Sequence, residues 1–139
     1  MSNFLIKALL AVILLGVSLT AFLSVMARFG RPGDEVRSER LRKVHKAAAY
    51  IYIVLLAPLA VLGTGFLIEM GDGLSTRGTL HFVLAAALLA LIVLKLLVVK
   101  AHRQLLKHAP VLGMAIFSLT LVIFLITAGF YFLRTAAGN

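Results

Sequence analysis

Residues 47–68 read AAAYIYIVLLAPLAVLGTGFLI, without a charged side chain from end to end. A bilayer core takes about 20 apolar residues of helix to cross, so this stretch is long enough to span one. The same property recurs three times outward from it. Residues 8–27 carry no charge, residues 78–99 are interrupted only by Lys95, and residues 109–133 are again uncharged. Together the four stretches occupy most of the 139 residues, and 62% of the chain is hydrophobic. A soluble domain of this length has too little interior to hide that share of apolar surface. The chain therefore reads as all-α: a single transmembrane domain over residues 1–139, folded as an integral membrane four-helix bundle in up-down-up-down order. The helices are expected at about 4–28, 44–69, 76–103 and 109–134. Lys7 ahead of an apolar run imitates a secretion signal. The run is longer than the apolar region of such signals, and FLSVMARFG offers no small-x-small cleavage site, so it reads as a retained helix.

Charge orients the bundle. The net charge is +9, and between the first two stretches stand Arg28, Arg31, Arg37, Arg40, Arg42, Lys43 and Lys46 against Asp34, Glu35 and Glu39. The third connection adds Lys100, Arg103 and Lys107, whereas EMGDGLSTRG between the second and third stretches has one cation and two acids. The positive-inside rule then expects loops 29–46 and 101–108 in the cytoplasm, both termini on the non-cytoplasmic side, and a multi-pass place in a bacterial inner membrane. Membrane lipid is the expected partner of the basic surface, at about 1 kcal/mol per cation near anionic headgroups, and no nucleic acid is called for. The chain has no cysteine, which excludes thiolate metal sites, covalent haem attachment and thiol redox chemistry. No Asp or Glu interrupts an apolar stretch, which argues against a proton-coupled exporter built on a membrane carboxylate. Nor is there a phosphate loop or a nucleophile–base constellation.

Punctuation agrees with four helices. Gly30, Pro32 and Gly33 break the first, after which EVRSERLRKVHK resumes a helix-compatible pattern that can begin the second before its apolar part. GDG at 71–73 marks a turn, Ser75 and Thr76 offer a cap for the third helix, and Pro110 sits where a first turn tolerates proline. Pro58 removes a backbone donor mid-helix and is expected to kink or loosen it. Short connections make sequential antiparallel packing the default.

The unusual residues are the histidines. His45, His102 and His108 fall at the basic end, and His81 alone near the other, so His45 and His81 are separated by roughly 30 Å of bilayer. At about 100° per residue, His45 shares a stripe with Ala49, Tyr52, Leu56, Leu59, Gly63 and Met70. On the third helix His81, Ala85, Leu88, Ile92, Lys95 and His102 share a broad face. Imidazoles from two facing helices can ligate one haem b iron axially, and bundle interiors are where such sites are built. His45 with His102 is the first pair to consider, and His108 is its competitor, suited equally to a loop contact or a cap. A second haem would need a partner for His81, for which Met70 across the GDG turn is the soft-ligand candidate. Against this stands the plainer reading of His45, His102 and His108 as interfacial residues facing water and headgroups. Lys95, about a turn inside Lys100, either snorkels to the interface or pairs with a haem propionate, a quinone oxygen or a partner's acid. Tyr50, Tyr52 and Tyr131 read as interfacial or packing aromatics.

The run VHKAAAYIYIVLLAPLAVLGTGF at 44–66, followed by TLHFVLAAALLALIVLKLLVVKAHR at 79–103, resembles bacterial membrane-bound b-type cytochromes of the four-helix kind. The likeness covers the last three helices. It implies bis-histidine haem b in a helical bundle, with His45, His81 and His102 as metal ligands, passing electrons between the quinone pool and a peripheral or integral redox partner subunit. Fourteen residues beyond His81 stands Lys95, and fourteen beyond His45 stands Leu59, where those cytochromes often carry a second histidine on the same helix. Two function classes follow. One is a membrane b-type cytochrome, or the haem-bearing membrane subunit of an electron-transfer complex, with one haem expected and a second as the extension. The other is a haem-free membrane anchor or accessory subunit of a larger complex.

Overall fold

The computed structural model describes residues 3–30 and 33–138. Arg31 and Pro32, read above as part of a cationic, helix-breaking loop, lie outside the described residues. The protein is a four-helix all-α fold: α1 (Asn3–Phe29), α2 (Glu35–Met70), α3 (Thr76–Ala101) and α4 (Ala109–Phe124), the last continued by a π turn (Leu125–Gly129) and α5 (Phe130–Ala136). Four helical rods are long and apolar enough to cross a membrane, and the chain is a multi-pass membrane protein in contact with lipid.

Two boundaries differ from the sequence expectation, each for a local reason. α2 starts at Glu35, about ten residues before the expected 44, because the Asp34 side chain accepts from the Arg37 N–H at 3.0 Å and caps the charged segment as helix. Lys43 pairs with Glu39 at 3.2 Å one turn apart, and Glu35 lies at the positive end of the helix dipole. α3 stops at Ala101 rather than 103, since His102 leaves helical geometry (φ −125°, ψ 74°) and Arg103–His108 form a 3-10 turn. Ser75 takes the cap of α3, accepting from the Gly78 N–H at 3.2 Å. Gly71 closes α2 at φ +48°, a left-handed position a β-carbon disfavours, and its N–H reaches the Leu67 carbonyl. Pro58 stands inside an uninterrupted α2.

Of the neighbouring pairs of a sequential up-down-up-down bundle, all but α2–α3 are packed. α2 packs on α1, α1 on α4, and α4 on α3, while α2 and α3 share no extended interface. Four helices laid flat in the order α2–α1–α4–α3 would separate the outer two by about 27 Å, at 8–10 Å per step. The link from Met70 to Thr76 spans at most roughly 20 Å even when extended. The row is therefore curved into an arc, with α2 and α3 drawn toward each other at the Gly71–Ser75 end.

What places α1 at the centre is its small and polar residues. Ala8, Ser18 and Ser24 are buried along it, and Ser24 returns its hydroxyl to the Thr20 carbonyl at 2.6 Å, so backbones can approach closely. Phe22 of α1 stacks on Phe117 of α4, with ring centroids 4.6 Å apart and planes 13° apart. No comparable contact ties α2 to α3 among the described residues.

One polar link crosses the arc. Thr120 Oγ1 donates to the Ile116 carbonyl at 2.7 Å, so its lone pairs receive the Tyr52 hydroxyl, also at 2.7 Å. Tyr52 is buried, an anchor inside the membrane rather than an interfacial ring. A double-mutant cycle of Tyr52→Phe with Thr120→Val, followed by unfolding in mixed micelles, is expected to return a coupling of about 0.6 kcal/mol. Strictly additive losses would mean that the pair contributes nothing to α2–α4 docking.

Candidate functional site

His45 comes to its place through the Asp34 cap and the helical run that follows, which turns its ring toward α1. Its Nδ1 lies 2.9 Å from the Ala21 carbonyl oxygen. A carbonyl only accepts, so Nδ1 carries the proton and donates. Neutral His45 is thereby held as the Nδ1–H tautomer, with the lone pair on Nε2. A metal-ligating histidine shows the same arrangement, one ring nitrogen donating to a carbonyl and the other left to coordinate. Ala21 has no side chain large enough to keep the ring away. The ring is half-buried, one helical stripe from Ala48 and Tyr52, the two buried residues of α2.

The other expected site residues lie apart from it. His102 is exposed at the end of α3, lining an open cleft of about 600 Å³ with Lys100, Ala101, Gln104 and Leu105. His108 occupies the N-cap position of α4 but makes no side-chain cap hydrogen bond, and it is exposed. Met70 is the last residue of α2 and is exposed. His81, one turn inside α3, has its Nδ1 buried without a hydrogen-bond partner. Four residues before it, the Arg77 guanidinium lies 3.5 Å from the centroid of the Phe130 ring, which joins the start of α3 to α5. His81 thus sits at about the level of the Leu125–Gly129 π turn, whose wider coil holds Ala128 buried and returns the Thr127 hydroxyl to the Ile123 carbonyl at 2.6 Å. Lys95 is half-buried, with its ammonium against Gly113 of α4.

The structure does not join any two of the four histidines by a direct contact, and among the described residues no three His, Cys, Asp or Glu side chains gather where they could hold one metal ion. A haem needs less than such a cluster: one or two axial ligands and a slot for a flat ring. His45 fits the first requirement through its tautomer. His102 stands at the same end of the bundle, on α3, which shares no extended interface with α2.

Three features escaped the sequence reading. Thr120 and Tyr52 are 68 residues apart, and nothing local pairs them. The π turn has a faint signal, a threonine followed closely by a small residue and glycine in ITAG. Gly113 reads as an ordinary glycine in an apolar helix until the end of Lys95 is found lying against it.

The model of a family described as "Family of unknown function (DUF6529)" matches residues 1–138. No curated protein and no solved structure matches the chain.

Proposed function

The chain belongs to the DUF6529 family, whose function is unknown, and from its own residues we propose that it is a small membrane b-type cytochrome, or the haem-bearing subunit of a membrane electron-transfer complex. The observation that carries the reading is the His45 Nδ1–H donation to the Ala21 carbonyl, which leaves the lone pair on Nε2, the ring nitrogen able to coordinate. His45 and His102 would hold the haem iron, with His108 the competitor of His102. His81, with Met70 as its candidate partner, marks a second site at the opposite end.

Bound haem b would supply one-electron transfer within the membrane. The protein's part is to orient and enclose. The Ala21 carbonyl fixes the ring plane and tautomer of His45 and raises the basicity of Nε2. Tyr52 and Thr120 hold α2 to α4 about two turns deeper, so the face bearing His45 stays turned inward. The ligand pair and the degree of burial would together set the potential. The concentration of cations at the His45 end supports placing that end, with loops 29–46 and 101–108, in the cytoplasm of a bacterial cell. Electrons would pass between the quinone pool and a redox partner subunit.

The test is a dithionite-reduced minus oxidised spectrum of the detergent-purified protein, expressed with ample haem and assayed for haem per chain. A b-type α-band with near-stoichiometric haem is the expected result. A colourless, folded preparation would overturn it in favour of the haem-free anchor. That second reading draws on the outer half of α2. Residues 61–66 are all exposed there, and neither Gly63 nor Gly65 has anything within 4 Å of an added Cβ, so another subunit's helix could approach closely.

A further inference from the structure

Lys95 has a carrier but no counter-charge. It lies within α3, six positions before Ala101 and so roughly 9 Å inside the helix end, on the side that faces α4. A Cβ built on Gly113 would come within 3.1 Å of Lys95 Nζ, so the missing side chain at 113 is the notch that receives the ammonium. Among the described residues Lys95 makes no hydrogen bond or ion pair.

The chain cannot supply the missing acid. It has five carboxylate side chains: Asp34, Glu35, Glu39, Glu69 and Asp72. Asp34 is engaged in capping α2, Glu39 pairs with Lys43, and Glu35 belongs to the same first turns of α2. Glu69 and Asp72 are at the other end of the bundle, across most of the bilayer. An ammonium set inside a membrane span is costly without a partner, and an anion from outside the chain would supply one.

The surroundings specify what kind. Lys100 and Lys107 stand at the same end, and the cleft of about 600 Å³ lined by Lys100, Ala101, His102, Gln104 and Leu105 opens there. On the same stretch of α3, Val93, Leu94, Leu96, Leu97 and Val99 are exposed to the bilayer. A ligand that fits carries a negative headgroup at interfacial depth and apolar chains that lie along the helix below it. We infer that Lys95, seated in the Gly113 notch, anchors the phosphodiester headgroup of an anionic phospholipid at the α3–α4 seam. The inference is independent of whether the protein binds haem.

The experiment is native mass spectrometry of the full chain released from nanodiscs of equal phosphatidylglycerol and phosphatidylcholine, in which bound lipid is counted by headgroup. The wild-type chain is expected to carry phosphatidylglycerol in preference to phosphatidylcholine. Lys95→Met is expected to cut that preference about fivefold, which corresponds to ~1 kcal/mol for one cation near a membrane surface. Lys95→Arg is expected to keep most of it. Gly113→Ala retains the charge but fills the notch, and it is expected to lower the preference as well, which guards against a Lys95→Met chain that fails to fold. Unchanged preference in both Lys95→Met and Gly113→Ala would overturn the inference. So would a loss confined to a Lys100→Gln/Lys107→Gln chain, which would mark diffuse surface attraction. Displacement of the lipid by millimolar inorganic phosphate would assign the site to a soluble anion instead. Loss of haem with an unaltered lipid preference in Lys95→Met would assign the ammonium to a propionate.

Discussion

Replacing His45 by glycine is expected to strip haem from the purified protein while leaving the helices assembled, and imidazole added to the buffer is expected to restore the reduced α-band. The expectation follows from what His45 touches. Its one hydrogen bond is to a main-chain carbonyl on α1, a contact of about 1 kcal/mol, and glycine in a helix interior costs about 1 kcal/mol more. Neither is large beside the α1–α2 packing. An axial ligand, by contrast, has no substitute on α2: Ala48, Ala49 and Tyr52 follow it on the same face, and none of these ligates haem iron as imidazole does. The measurement is haem per chain with the elution volume in detergent as the fold control. His102→Ala is the companion, expected to convert a six-coordinate low-spin spectrum to a five-coordinate one while haem is retained on His45. A His45→Gly chain that holds the wild-type haem content would remove His45 from the site. The ligand would then have to be sought at His81, where the buried Nδ1 has no hydrogen-bond partner among the described residues.

The second large effect concerns two adjacent leucines. Leu88→Ala is expected to destabilise the assembly by about 2–4 kcal/mol, read as a shift of the unfolding transition in mixed micelles, whereas Leu89→Ala is expected to change it by no more than ~0.5 kcal/mol. Leu88 is 3% exposed and Leu89 42%. α3 packs on α4 and the π turn and has no extended interface with α1 or α2, so the cavity left at position 88 opens in the one seam that holds this helix. Truncating Leu89 exchanges contact with lipid tails for contact with other lipid tails. Because lipid is as apolar as leucine, burial adds no hydrophobic driving force here, and the loss at position 88 is one of packing. Equal shifts for the two variants would mean that α3 does not dock on the face described.

The comparison of positions 88 and 89 shows why the sequence was informative about some features and silent about others. Whether a segment crosses a membrane is a sum over about 20 neighbouring residues, so it survives without any knowledge of the fold. The four apolar runs, the Ser75 cap and the cationic clustering were all legible on that basis, and α2 and α3 came out displaced only where a cap or a departing histidine moved an end. In a soluble helix the polar face would also have revealed the buried one. Here both faces are apolar, and no periodicity marks Leu88 as inside and Leu89 as outside.

The candidate site divides in the same way. His45, His81, His102 and Lys95 could be nominated from the sequence because ionisable side chains are rare in such helices. The partners of His45 and Lys95 could not, because one is a main-chain carbonyl and the other a missing side chain on another helix. Ala21 offers only its backbone to His45, and Gly113 offers Lys95 only the absence of a β-carbon. The sequence by itself determined a membrane-spanning four-helix chain with one basic end and a short list of unusual side chains, since those are local sums and local rarities. Only the packing between helices decided that α1 lies between α2 and α4, that Tyr52 meets Thr120, and that α2 and α3 share no extended interface. Those outcomes depend on which small residues let two backbones approach, a property of pairs of helices and not of any one of them.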